Sequence, residues 1–196
     1  YFYQLAMDMG IDRMHRYLSQ FGFGSLTGID LGGEGAGLLP SREWKEKAHG
    51  EPWYPGETVI SGIGQGFNDV TPLQLANAVA TLVNGGTRFA PRLLLATKPA
   101  GTAKALRVNT SVKHNVPIKD ERNWQTILDG MDRVVNGLRG TARDVAIGAL
   151  YRTAGKTGTA QVYRLREEEE YDDKTVAEHL RHHALFIAFA PVESPR

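Results

Sequence analysis

The sequence predicts an α+β fold in which an antiparallel sheet is flanked by helices, and two observations carry that reading. Helical spacing and β-forming runs occupy separate parts of the chain, so no βαβ alternation points to a parallel sheet. Two β-rich runs, 154–163 and 184–190, also flank a charged stretch over 164–183, which suits an antiparallel pair with a long connection.

The elements follow in order. Residues 1–21 read as helix: Phe2, Leu5, Ala6 and Met9 recur at helical spacing, and Ile11, Met14, Tyr17 and Leu18 continue it. Gly10-Ile11-Asp12 marks a break, with Asp12 expected to cap a second helix that ends at Phe21-Gly22. Residues 22–40 are glycine-rich and polar, a loop. Residues 41–58 hold Pro and Gly breaks with Trp44 and Trp53, and are expected to form an irregular packed connection. Residues 72–83 are a helix, with Thr71 at the N-cap, Pro72 in the first helical position and Asn84-Gly85-Gly86 ending it. Short strands are expected at 92–96 and 105–108. Residues 124–135 form an amphipathic helix with Trp124, Ile127, Leu128, Met131, Val134 and Val135 on one face. Residues 154–163 read as a strand, and 184–190 as a buried strand bounded by Pro191.

Composition limits the function classes. The chain has 196 residues, 41% hydrophobic and 23% charged, ordinary values for a globular protein. A formal charge of +1 leaves no basic excess for a nucleic-acid surface. The absence of cysteine excludes disulfides, thiolate metal sites and a cysteine nucleophile. No stretch approaches the roughly 20 apolar residues of a membrane span. Tyr1-Phe2-Tyr3-Gln4 is not a signal peptide, and without an initiator Met the sequence reads as a segment of a longer polypeptide.

Several motifs fail on spacing. Gly62, Gly64 and Gly66 lack the G-x-G-x-x-G pattern of a dinucleotide site and are expected to mark a close backbone approach. Gly155-Lys156-Thr157 resembles the end of a P-loop, but the glycine required five residues earlier is Leu150. His179 and His183 fit one helical face, yet no H-E-x-x-H is present and the neighbours include Arg181, so a solvated face is expected and no metal or cofactor site. The glutamates at 167–170 read as a solvated loop. Of six serines, Ser19, Ser25, Ser41, Ser61, Ser111 and Ser194, none begins S-x-x-K and none sits in G-x-S-x-G, so no nucleophile is found in the chain.

Lys156-Thr157-Gly158-Thr159 is different. Along an edge strand these residues are expected to turn an ammonium and hydroxyls toward one groove, where an extended peptide would pair with the backbone. Gly158 lets an acyl group approach the main chain. The Thr159 N–H would help hold an oxyanion, and Lys156 and Thr157 a substrate carboxylate.

With the following Ala160-Gln161-Val162, this run closely resembles the third active-site motif of penicillin-binding transpeptidases. Tyr1-Phe2-Tyr3-Gln4-Leu5-Ala6 is similar to the helix that follows the family's Ser-x-Asn/Asp motif. Thr27-Gly28-Ile29-Asp30-Leu31, Gly62-Ile63-Gly64-Gln65-Gly66, Thr71-Pro72-Leu73-Gln74-Leu75-Ala76 and Gly140-Thr141-Ala142 also resemble the family, in the expected order. Trp53-Tyr54-Pro55-Gly56-Glu57-Thr58 is similar to the class B, elongation-type members.

The resemblance implies a penicillin-binding transpeptidase or serine β-lactamase-like fold, with residues 1–196 the C-terminal portion of one transpeptidase domain, incomplete at both ends. It implies a peptidoglycan D,D-transpeptidase on the periplasmic side of a bacterial inner membrane, acylated by β-lactams and needing no cofactor. In this family a serine activated by the S-x-x-K lysine attacks the D-Ala-D-Ala bond, and the acyl group passes to an amine of a neighbouring stem peptide. Lys156 and Thr159 would be the catalytic members here. Lys156, Thr157, Gly158 and Thr159 would bind substrate, with the Thr159 amide completing the oxyanion hole. Implied partners are the stem peptide, the N-terminal part of the same protein, a lipid-linked glycan polymerase and an elongation scaffold.

S-x-x-K and Ser-x-Asn/Asp are both absent, so the chain is expected to begin just after the second of them, to end before the family's last strand and helix, and to be inert alone. Two alternatives stand beside this reading. A serine β-lactamase or β-lactam sensor of the same fold is disfavoured by the helix lengths, by the long 164–183 loop and by the lack of a placeable deacylating Glu. A non-catalytic scaffold piece would not need Lys156 and Thr157 in a groove.

Overall fold

A computed structural model describes residues 1–162 and 176–195, which form two compact units, Tyr1–Asp120 and Glu121–Arg196. The first unit opens with helices α1 (Phe2–Met9) and α2 (Ile11–Leu18), extended by a 3-10 turn at Ser19–Phe21. Gly10 divides α1 from α2 because its φ of 71° lies where a side chain is strained. Its N–H still reaches the Ala6 carbonyl, and its carbonyl accepts from Met14. Gly10, not Asp12, therefore caps α2. Asp12 sits in the first turn, where its carboxylate accepts from Arg42 Nε at 3.0 Å. Gly22, with φ 97°, ends the 3-10 turn as expected.

The glycine-rich loop is held by carboxylates and one amide. Glu34 accepts from the Thr27 hydroxyl, from Thr27 N at 2.7 Å and from Gly28 N at 3.1 Å. Asp30 accepts from the N–H groups of Leu93 and Leu94 at 2.6 and 3.0 Å. The buried Gln74 side chain donates to the Ser25 and Ala36 carbonyls, both at 2.8 Å.

Residues 41–58 depart from the expected irregular connection. They hold most of two short helices, α3 (Arg42–His49) and α4 (Pro55–Ser61). Ser41 caps α3 by accepting from Trp44 N, while Pro55 begins α4 and Glu57 reaches back to Tyr54 N at 2.8 Å. Lys45 lies buried between them, paired with Glu57 and, at 3.6 Å, with Glu51, its ammonium 4.4 Å from the Tyr54 ring centre. A close approach does occur among the three glycines, since a Cβ on Gly62 would fall 2.3 Å from the Ala6 Cβ of α1.

Helix α5 (Pro72–Val83) starts where the sequence places it, with Thr71 Oγ1 accepting from Gln74 N and Gln74 Oε1 accepting from Thr71 N. Four short strands complete the unit. β1 (Thr87–Phe89) pairs antiparallel with β4 (Val112–Asn115), and β2 (Ala96–Thr97) with β3 (Leu106–Arg107). Of the expected strand at 92–96 only Ala96 lies in a strand, although the Leu95 carbonyl still accepts from Val108 N, and Asp30 takes the Leu93 and Leu94 amides that a ladder would use.

The second unit begins with α6 (Arg122–Asn136), which buries Trp124, Met131 and Val135. Ile127, expected on that face, is 46% exposed. Strands β5 (Ala154–Ala160) and β6 (His183–Phe189) pair antiparallel in unbroken register, from Ala154 opposite Phe189 to Ala160 opposite His183. Gln161 and Val162 lie beyond the end of β5, and Tyr163 lies outside the described residues. β6 is not buried in this chain: Leu185 and Phe186 are 40% and 42% exposed, because the described sheet gives the strand one neighbour and covers neither face fully. His179 stands in a 3-10 turn (Glu178–Leu180) and His183 opens β6, so they share no helical face. The glutamates 167–170 lie outside the described residues.

Candidate active site

The site residues lie on β5, and the second unit fixes that strand from its entry. Asn136 Nδ2, at the last position of α6, donates to the Thr153 carbonyl at 2.9 Å. One turn earlier Asp132 accepts two bonds from Arg152, at 2.8 and 2.6 Å. The Arg152 guanidinium holds the Asp132 carboxyl below its usual range, against the opposing effect of burial. Ala154 and Gly155 then enter the core. Gly155 is required there, since a Cβ would meet the Phe186 ring at 2.7 Å and the Ile187 carbonyl at 2.5 Å.

Beyond Gly155 the strand becomes accessible. Lys156, Gly158 and Thr159 are exposed and Thr157 is half-buried. Successive residues of a regular strand point to opposite faces. The unbroken register therefore puts Thr157 and Thr159 on one face and Lys156 with Gly158 on the other. This corrects the expectation of ammonium and hydroxyls side by side. Lys156 Nζ instead folds along the strand and donates to the Thr157 carbonyl at 2.6 Å. A Cβ on Gly158 would meet only Leu185 Cβ, at 3.8 Å. Packing demands glycine at 155 but not at 158.

Among the described residues β5 pairs in a sheet with β6 alone. The space over Gly158 admits a group close to the backbone, and an ammonium and hydroxyls stand within one strand turn of it. Such donors suit an anion and a polarised carbonyl.

One contact was missed in the sequence. Thr141 Oγ1 lies 3.1 Å from Thr157 Oγ1. Gly140-Thr141-Ala142 stood out as a run, but nothing in its spacing relates it to residue 157. Four of the serines have local partners: Ser41 caps α3, Ser19 and Ser25 donate to nearby carbonyls, and Ser61 accepts from Asn68. Among the described residues no group of three or more His, Asp and Glu side chains is placed to hold a metal ion, and no helix is long and apolar enough to cross a membrane.

Comparison with known proteins gives concordant matches. The family model described as the penicillin binding protein transpeptidase domain matches residues 1–196. The peptidoglycan D,D-transpeptidase MrdA of Escherichia coli K12 is 42% identical over an alignment of 198 positions that covers 100% of this chain and 31% of that protein. The chain thus spans about a third of the length of the curated relatives it matches. The structure of Pseudomonas aeruginosa PBP2 in complex with WCK 5153 superposes with a TM-score of 0.80 at 42% identity, covering 100% of this chain and 40% of that one. The complex of Helicobacter pylori PBP2 with MreC gives a TM-score of 0.80 at 30% identity, covering 100% and 32%. By a match along its whole length, and with relatives more than 40% identical, the chain belongs to the penicillin-binding protein transpeptidase domain family.

Proposed function

We propose that this chain forms the carboxylate-binding and oxyanion-forming wall of a serine-type peptidoglycan D,D-transpeptidase, with residues 1–196 the C-terminal portion of a single transpeptidase domain. The observation that carries the reading is Gly158: an exposed glycine whose neighbours leave room for a side chain, between two threonines that share a face. A position kept bare without a packing reason suits a strand that must admit an acyl group.

In this reading the hydroxyls of Thr157 and Thr159, with the Lys156 ammonium, bind the terminal carboxylate of a stem peptide. The Thr159 N–H donates to the carbonyl oxygen as it gains charge. The attacking serine lies in the part of the protein that this chain does not span, since no serine here begins S-x-x-K. Its Oγ bonds to the carbonyl carbon of the penultimate D-Ala, and the terminal D-Ala leaves with its amine protonated. An amine of a neighbouring stem peptide then attacks the ester, forms the cross-link and returns the proton to the serine. A β-lactam enters the first step and stops there.

The relatives' names support the wider setting. Their description as peptidoglycan D,D-transpeptidases favours an enzyme held at the inner membrane and working in the periplasm. The complex of H. pylori PBP2 with MreC favours an elongation scaffold as partner. A 36% identical chain comes from a structure titled for the coordination of polymerization and crosslinking by a peptidoglycan synthase complex, which favours a glycan polymerase as the other.

Labelling with a fluorescent penicillin tests the proposal. The full-length protein is expected to be acylated and the 196-residue chain alone is not. In the full-length protein Lys156→Ala is expected to slow acylation at least about tenfold, by loss of a charged donor. Thr159→Pro, which removes the N–H, is expected to slow it by about 10²–10³-fold. Unchanged acylation in both variants would refute the wall assignment, and labelling of the chain alone would refute the placement of the serine.

A further inference from the structure

The geometry points to Thr141 as a positioning residue that sets the direction of the Thr157 hydroxyl. This rests on the reading of β5 as a carboxylate-binding strand. We propose that Thr141 donates to Thr157 Oγ1, so that the single hydrogen of Thr157 is committed to the ligand's carboxylate.

Thr141 is exposed, and its Oγ1 lies 3.1 Å from that of Thr157, sixteen residues further on. A bond between accessible hydroxyls adds little to folding, because water serves both equally well. The backbone nevertheless holds Thr141 firmly. Gly137 and Gly140 lie against the end of α6, where a Cβ would fall 2.5 Å from the Arg133 carbonyl and 2.2 Å from the Val134 carbonyl respectively. The Gly140 N–H donates to Gly137 O, and the N–H of the buried Ala142 to Val134 O, both at 3.0 Å. Thr141 is thus carried between two anchored neighbours.

The hydroxyl inventory gives the pair a direction. A threonine has one hydrogen to donate and two lone pairs to accept with. If Thr157 spent its hydrogen on Thr141, it would turn a lone pair toward an arriving anion and repel it. With Thr141 as donor, Thr157 accepts on one side and donates on the other, and each bond polarises the next. Thr141 acts through Thr157, and its hydroxyl needs no contact with the ligand.

The test uses the full-length protein and the second-order rate of acylation by a carboxylate-bearing fluorescent penicillin. Thr141→Val, which keeps the shape and removes the hydroxyl, is expected to lower that rate roughly three- to tenfold through weaker binding, with the limiting acylation rate unchanged. Thr141→Ser is expected to stay within about twofold of the parent. Thr141→Val is expected to add nothing in a Thr157→Val background, and its melting temperature to match the parent's. A silent Thr141→Val beside an impaired Thr157→Val overturns this role alone, as does an additive double variant, a loss that Ser does not restore, or a fall in the limiting rate. Silence of both single variants overturns the carboxylate reading of the strand with it.

Discussion

Gly155 and Gly158 are the same residue type three positions apart on one strand, and they are glycine for opposite reasons. At 155 the Phe186 ring and the Ile187 carbonyl occupy the space of a side chain, whereas at 158 only Leu185 approaches, at van der Waals distance. Gly155→Ala is therefore expected to destabilise the fold by about 1–3 kcal/mol. Gly158→Ala is expected to leave the unfolding free energy from urea titration within about 0.5 kcal/mol of the parent while slowing acylation of the full-length protein. A similar stability loss in both variants contradicts the distinction. The run at 156–159 stood out in the sequence because other family-like runs accompany it in the expected order; its facing could not be read there. A period of two separates Lys156 from Thr157, and only the fold shows the ammonium bending back along the strand. Thr141 was hidden for a different reason, since the turn that returns it to β5 is built from backbone contacts of Gly137 and Gly140.

Among the elements, α5 was the plainest in the sequence and α3 and α4 the least. Helix α5 carries Thr71, Pro72 and Gln74 in capping positions before a long apolar run. Helix α3 offers only Trp44 and Ala48 as apolar residues, and α4 opens on Pro55-Gly56, which read as a break, so neither shows an apolar stripe at helical spacing. Their signals were present in the caps, Ser41 before Trp44 and Tyr54-Pro55 before Glu57, rather than in hydrophobic spacing. Thr71→Ala is expected to cost about 1 kcal/mol by chemical denaturation, the usual loss of an N-cap. Gln74→Leu is expected to cost more, about 2–4 kcal/mol, because it frees the Thr71 N–H and strips the Ser25 and Ala36 carbonyls of a buried donor. Equal costs would mean that the loop contacts contribute nothing.

For the whole molecule, the α+β class and the antiparallel pairing were legible, since all three described ladders are antiparallel. The division into two units was not, because no change of composition marks residue 120. Acid response is set by carboxylates spread over both units. Asp30 is held below its ordinary value by the Leu93 and Leu94 amides, Glu34 by the Thr27 hydroxyl and Asp132 by Arg152. Burial pushes Glu57 upward, but the bond from Lys45 and its other partners outweigh that and the net shift is down. A carboxyl with a depressed folded pKa stabilises the fold above its unfolded value, 3.8 for Asp and 4.5 for Glu, and gives that up as pH falls through the folded one. Stability is therefore expected to be nearly level from about pH 7 to 5 and to decline below about pH 4.5 in urea titrations. Glu34→Gln and Asp132→Asn should each flatten the decline, and a parent-like slope in both would contradict these assignments. The clips from α6 to the start of β5 have a last consequence, for how this chain can change over time. Asp132 and Asn136 fix Arg152 and Thr153 by residue count, so each later position inherits its face from the number of residues separating it from the clip. Inserting one residue between Thr153 and Lys156 exchanges the two faces and turns the hydroxyls away; inserting two restores the face but moves the motif about 7 Å along the strand. The length of this stretch is therefore as constrained as the glycine at 155.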